Sequence, residues 1–426
     1  MTASALAPVS TDLQNWWKPE NLTVGVSSSW TDAGSEGATL TKGFASDPAN
    51  GTPIDGHATL DANSNQAMEH ATTTLHGASE VWIVLRSDNH STQLAFDAVG
   101  SSDRHTFFVS SNDNMSANAG STLAVTDGFI EHRPQIVRIR VNGDTSGDIF
   151  RITDTGSSVT TAIGSGTIGS GDWTGITMGA ANSGSSAWRG DIAEMLRYSD
   201  VMASGAATTA AYLLAKYPSC AKYDQTEVTL LCAGDSITAG TASTSLRSYR
   251  GQLREAFETT DVSASTTLVF RGTSEDRCMD HDGVSGETIS QIDSRMAAAI
   301  AAHSPDVLVL IAGTNDCQDA GYVGLVADAA YDSLLSTIYT ADNGLPVVLC
   351  LVPPLSNGTH DANVDDLNTR IEDDVVPGAS STITVVDARD YGFVAATHTT
   401  DGVHPNTLGE QALSDAIEAG IRAALA

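Results

Sequence analysis

The sequence pattern changes near residue 218, and one core cannot satisfy both halves. All six tryptophans (Trp16, Trp17, Trp30, Trp82, Trp173 and Trp188) precede that point, and no tyrosine occurs before Tyr198. Upstream, short runs rich in β-branched and aromatic residues, such as Val81–Leu85, Thr106–Val109 and Ile136–Val141, are separated by Gly, Asn, Asp and Ser clusters. That spacing predicts an all-β sandwich. A chain of 426 residues also exceeds one ordinary core, so two or three domains are expected. The break divides it into 1–217 and 218–426.

Downstream, strands and helices alternate. Val228–Ala233, Thr267–Phe270, Val307–Ile311, Val347–Leu351 and Ile383–Val386 read as buried strands. Helices are expected over Tyr249–Thr259, Thr288–His303, Val326–Tyr339, Val364–Asp374 and Thr407–Leu425. Near-continuous apolar strands between amphipathic helices imply a parallel sheet covered on both faces, an α/β/α arrangement. Sites in such sheets gather beyond the carboxyl ends of the strands.

Four short segments fall there: Gly234-Asp235-Ser236, Gly283-Val284-Ser285-Gly286, Gly313-Thr314-Asn315-Asp316 and Asp401-Gly402-Val403-His404. Acyl transfer needs a hydroxyl activated by an imidazole, a carboxylate to orient that ring, and donors aimed at the oxyanion. Ser236, His404 and Asp401 supply the first three. The N–H groups of Ser236 and Gly286, with the Asn315 amide, supply the donors. Singly, each segment is ordinary: a Gly-Asp-Ser turn is common, Asn315 could cap a helix and His404 could sit in a plain loop. Jointly, in this order, they are a strong signal. Asp235 and His281 are further cleft candidates, and for His281 a solvated loop position is equally consistent. No HxxxH or HEXXH spacing suggests a metal, and no cofactor is expected.

On these four segments, residues 225–426 resemble the SGNH (GDSL-like) hydrolase family. The resemblance implies a flavodoxin-like three-layer fold, the catalytic set Ser236, Asp401 and His404, and an oxyanion hole of Ser236, Gly286 and Asn315. Ser248-Tyr249-Arg250 and His281-Asp282-Gly283-Val284-Ser285-Gly286 further resemble acetylxylan-esterase-like members, with departures at Ser248 and Glu287, where glycine and an aromatic are usual. Residues 10–217, through Trp16-Trp17, Ser29–Asp32 and the Trp188–Tyr198 strand followed by an Ala206–Tyr217 helix, resemble concanavalin-like (laminin-G-like) jelly rolls. Such modules often bind glycans through exposed tryptophans, although any one tryptophan more often fills the core.

Asp and Glu number 52 against 21 Lys and Arg, a formal net charge of −31, and only Lys18, Lys42, Lys216 and Lys222 are lysines. Nucleic acid is therefore excluded as a natural partner. Such a surface repels itself in dilute buffer, whereas at about 1 M salt the Debye length falls to ~3 Å, so work in high salt is expected. The five cysteines (Cys220, Cys232, Cys278, Cys317 and Cys350) show no metal or framework spacing. No secretory signal is visible at the N-terminus, and no apolar run of about 18 residues predicts membrane insertion.

The leading expectation is a carbohydrate O-acetyl esterase, extracellular or at a surface or virion, acting on an acetylated glycan. A homo-oligomer or a virion or surface assembly is the expected protein partner. Two alternatives stay open: a structural or receptor-binding surface protein whose esterase fold binds or trims glycan, and a lipid or thioester hydrolase.

Overall fold

The computed structural model describes residues 7–23, 28–42, 49–50, 53–62, 67–75, 77–87, 92–99, 105–110, 114–126, 128–130, 133–181, 183, 185–202, 204–221, 226–243, 248–259, 266–274, 279–356, 358–375 and 382–426. They form two compact units, one of the described residues before Thr226 and one of those from Thr226 onward.

The first unit is built on one long antiparallel sheet. At its centre Ser79–Ser87 lies between Gln135–Val141 and Gly190–Tyr198, and Leu13–Thr23 pairs with the far side of the latter. Side chains alternate between faces with period two. Val81, Ile83 and Leu85 therefore enter one core, while Trp82 and Val84 enter another beneath the helix Ala206–Lys216. The first core also takes Phe96, Phe107 and Met115 from strands far along the pairing path. The sheet thus folds over to enclose it. The ends of that path meet again, since a Cβ on Gly166 would lie 3.1 Å from Leu123.

Several buried charges in this unit are paired. Glu194 accepts from Trp16 Nε1 (2.6 Å), Tyr212 Oη (2.6 Å) and Tyr217 Oη (2.8 Å), and Lys216 Nζ stands 2.9 Å away. Arg86 pairs with Asp191 at 2.8 Å and Arg138 with Glu80 at 2.9 Å. A buried carboxylate persists only with such partners. Trp17, Trp30, Trp82, Trp173 and Trp188 are fully buried, so these five rings fill space between layers and none presents a face for stacking on sugar. Trp16 is half-buried, edge-on to Tyr212.

In the second unit the elements are β1 (Thr226–Gly234), α1 (Ser236–Ala239), α2 (Tyr249–Thr259), β2 (Thr266–Arg271), β3 (Asp282–Gly283), α3 (Ile289–His303), β4 (Val307–Ile311), α4 (Thr314–Gln318), α5 (Gly324–Ala341), β5 (Val347–Cys350), α6 (Gly358–Arg370), β6 (Ile383–Val386), α7 (Ala395–His398) and α8 (Thr407–Ala424). The parallel sheet runs β2-β1-β4-β5-β6, with the two-residue β3 also on β1. Leaving β3 aside, this is the doubly wound 2-1-3-4-5 order.

Alternation again sorts the core. Leu231, Ala233, Leu308 and Leu310 pack with α3, α5 and α6, whereas Leu230, Cys232, Val307 and Val309 pack with α2 and α8. Helices thus cover both faces. Strand order reverses between β1 and β4, which opens a crevice at their carboxyl ends. Ser236 follows β1 and Asn315 follows β4. Cys232, Cys317 and Cys350 are free thiols and Cys220 is buried; Cys278 lies outside the described residues.

Candidate active site

Ser236 is the first residue of α1, and Asp235 caps that short helix by accepting from Ile237 N at 2.9 Å. The turn needs glycine before it. A Cβ on Gly234 would strike the Ile311 carbonyl and stand 2.7 Å from Thr238 Oγ1. Ser236 is buried at 6% exposure, with its hydroxyl turned to the loop after α7.

On that loop His404 Nε2 lies 3.0 Å from Ser236 Oγ, and His404 Nδ1 lies 2.7 Å from Asp401 Oδ2. The other carboxylate oxygen, Oδ1, accepts from Val403 N (3.0 Å) and His404 N (2.8 Å). The Asp-x-x-His spacing makes this possible, because one turn of loop wraps its backbone amides around the carboxylate that holds the ring. Partial burial works to raise the Asp401 pKa, but the His404 ring and these amides outweigh it and hold the carboxyl at about 2. Ionised Asp401 fixes the proton on Nδ1 and leaves Nε2 free to accept from the serine. Gly402 has φ +90°, and a Cβ there would collide with Ser356, so the loop needs its glycine.

Gly286 sits in the exposed segment Val284–Gly286 with φ +84°. Nothing lies within 4 Å of where its Cβ would be, so the left-handed backbone, not crowding, favours glycine. Both ends of the segment are anchored. Val284 N donates to Gly234 O at 3.0 Å, and the Glu287 carbonyl accepts from Asn315 Nδ2 at 2.8 Å. That bond fixes the Asn315 amide plane and uses one of its two N–H groups, leaving a second as a donor.

Arg295, from α3, ties the pieces together. Its Nη2 donates to Gly234 O (3.0 Å), its Nε to Glu287 Oε2 (2.7 Å) and its Nη1 to Asp282 Oδ2. The motif reading did not include it. The available signal was scarcity: Arg295 is the lone arginine or lysine in α3, within an acidic chain.

Asp235 and His281 sit behind this arrangement. Burial pushes the Asp235 carboxyl up to about 6, against the pull of the Ile237 amide. His281 is buried, and its Nδ1 accepts from Gly283 N at 3.0 Å, so the remaining ring proton is on Nε2. Burial, reinforced by the Arg250 charge, lowers its pKa to about 3, and the ring is neutral. Arg250 in turn donates to the Thr238 and Met279 carbonyls and to Ser248 Oγ, bracing α1 from below. Among the described residues, no group of three or more His, Cys, Asp and Glu side chains could hold a metal ion.

Residues 232–412 match the GDSL-like lipase/acylhydrolase family, which supports an acylhydrolase domain of GDSL type in this part of the chain. No curated protein matches the chain. Among solved structures, an acetyl esterase mutant with acetate ion is 23% identical, covering 46% of this chain and 97% of its own, with a TM-score of 0.40. A carbohydrate esterase family 3 protein from Talaromyces cellulolyticus is 24% identical over 46% and 97%, with a TM-score of 0.39. A Clostridium thermocellum family 3 carbohydrate esterase is 21% identical over 47% and 100%, with a TM-score of 0.38.

Proposed function

We propose that the second unit is a serine esterase that removes acetyl or other short acyl groups from carbohydrate. Ser236 attacks the acyl carbon while His404 Nε2 takes its proton, and Asp401 stabilises the imidazolium that forms. The tetrahedral oxyanion is met by the N–H groups of Ser236 and Gly286 and by Asn315 Nδ2. Collapse expels the sugar oxygen with the proton from His404. Water, activated by the same ring, then releases acetate. The observation that carries this reading is the unbroken chain from Ser236 Oγ through His404 to Asp401, at 3.0 and 2.7 Å.

The first unit is, on this reading, a concanavalin-like jelly roll that attaches the enzyme to its polymer or to a surface or virion assembly, alone or as a homo-oligomer. Its fully buried tryptophans shift any sugar contact to loops or strand edges. The charge of −31 suits a setting of high salt.

Hydrolysis of p-nitrophenyl acetate, butyrate and octanoate, at low and high NaCl, by wild type and Ser236→Ala tests the proposal. Acetate-selective turnover that disappears in Ser236→Ala is expected. A folded protein that cleaves none of the three would overturn it in favour of a binding or structural protein, and a preference for octanoate would make it a lipid or thioester hydrolase.

A further inference from the structure

Beside the oxyanion donors lies an open pocket of about 150 Å³, walled by Thr288, Asp316, Asp319, Tyr322, Val323 and Val326 among others. Two of its wall residues adjoin the proposed active site in sequence. Thr288 is two residues beyond Gly286, and Asp316 is adjacent to Asn315. The two segments are knitted by the Asn315 Nδ2 bond to Glu287 O and by a 3.0 Å bond from Ile289 N to Asp316 Oδ2. With consecutive Cα atoms 3.8 Å apart, the pocket begins within about one sugar unit of the oxyanion position.

Its chemistry is mixed in a particular way. Val323 and Val326 are 53% and 67% exposed, and neighbouring Leu325 is 68% exposed, an apolar patch on an otherwise strongly acidic protein. The same pocket is lined by two carboxylates. Asp316 uses Oδ2 on Ile289 N, and Asp319 uses Oδ1 on Gly321 N (2.7 Å), which leaves Oδ1 of the first and Oδ2 of the second as acceptors. Tyr322 Oη is spent on Asp366 at 2.9 Å, so this residue offers its ring.

A pyranose or furanose ring matches this pairing, with C–H faces for the valines and hydroxyl donors for the carboxylates. An alkyl acyl chain would desolvate the carboxylates without replacing their hydrogen bonds. A uronate, sulfate or phosphate would be repelled. The volume lies below the 300–1,000 Å³ typical of pockets that enclose a whole drug-sized ligand, which suits one ring of a longer chain.

We propose that this pocket is the subsite for the sugar ring next to the acetylated one, and that it takes an uncharged ring. The proposal rests on the ester-hydrolase reading of the adjoining site.

The test compares acetylated xylose, acetylated xylotetraose, acetylated tetragalacturonate and p-nitrophenyl acetate as substrates of the full chain, for wild type, Asp319→Ala and Val326→Ala. The expected kcat/KM for the xylotetraose ester is about tenfold above that for the single sugar, equivalent to roughly 1.4 kcal/mol of added binding. Each variant should lower the tetraose value through KM, by a larger factor than it changes p-nitrophenyl acetate hydrolysis. Equal kcat/KM on one and four rings, equal use of tetragalacturonate, or parallel losses on p-nitrophenyl acetate would overturn the proposal. If wild type cleaves no ester, the enzymatic reading has failed separately, and calorimetry with unacetylated xylotetraose judges the pocket. Binding weakened in Asp319→Ala sustains it, and no binding ends it.

Discussion

Glu194 and Asp401 are both carboxylates that hold other side chains in place, yet they are built in opposite ways. Glu194 is fully buried, and its partners Trp16, Tyr212, Tyr217 and Lys216 come from both ends of the first unit's sequence. Asp401 is half-exposed, and its partners are the ring and amide of His404 and the amide of Val403. The first arrangement couples a helix to a sheet and is paid back only when both are folded. The second is assembled within four residues of one loop. Removing the buried acid should therefore cost stability, whereas disturbing the loop should cost turnover.

The largest expected effect is at the other end of the same hydrogen-bond chain. Ser236→Ala should lower kcat by about 10⁴-fold or more and leave the melting temperature within a degree or two of wild type, since the hydroxyl's one described partner is His404 Nε2. Stopped assays on p-nitrophenyl acetate with parallel calorimetric scans would measure both. Turnover that survives the substitution would remove Ser236 from the nucleophile role.

Glu194→Ala tests the contrasting half. It strands three neutral donors in an apolar layer and leaves Lys216 with Glu20 as its remaining carboxylate partner, at 2.9 Å, and breaking a buried charge pair from one side typically costs about 3–5 kcal/mol. Chemical denaturation should show that loss in the first unit while kcat on a small ester changes little. A loss of kcat matching the loss of stability would mean that the two units do not act separately.

A third effect is set by pH. Asp235 has a folded pKa of about 6, above the ~3.9 of an unfolded aspartate. The folded state therefore binds more protons between these values, so stability should fall as pH rises from about 4 to about 6 and then level off. Asp401 behaves in the opposite sense. Its folded pKa of about 2 contributes stability that is present above pH 4 and lost as pH falls toward 2. Asp235→Asn should flatten the first slope and leave the second. Urea titrations at half-unit pH steps would show it, and an unchanged slope would assign the proton uptake to another group.

These contrasts also explain what could be read before the structure. The contact of Ser236 with His404 and of His404 with Asp401 was legible because Ser236 follows a strand end and the other two share one short loop, where spacing fixes geometry. Strand positions were legible from local composition, as runs of apolar and β-branched residues in Val307–Ile311 and Ile136–Val141 that the structure buries almost throughout. The Glu194 network was not, since Glu194 and Trp16 stand 178 positions apart. The order of the strands in the first unit has no local signature either. His281 illustrates the limit, because loop composition could not distinguish a cleft histidine from a solvated one. Its actual setting, a neutral ring bonded to Gly283 N, depends on Arg250 and a turn packed over it. For the tryptophans, composition favoured burial at each position, and five are fully buried.

Arg295 is the remaining test, and it belongs to neither extreme. Its guanidinium joins Gly234 at the end of the nucleophile strand, Asp282 at the entry to the Gly286 segment and Glu287 at its exit, so one side chain spans both anchors of an exposed donor. Losing an oxyanion donor outright costs on the order of 10²–10³ in turnover; loosening one should cost less. Arg295→Met is expected to lower kcat by roughly tenfold with KM nearly constant, because in the proposed role the Gly286 N–H would engage the charge that develops in the transition state more than the ground-state carbonyl. Arg295→Lys keeps the charge but not the planar fork and should recover only part of the loss. Glu287→Gln leaves the carbonyl bonded to Asn315 and should fall between Arg295→Lys and wild type. A purely structural arginine would instead show unfolding at lower denaturant with kcat per folded molecule unchanged, and that result would confine positioning of the oxyanion site to Asn315 and the backbone.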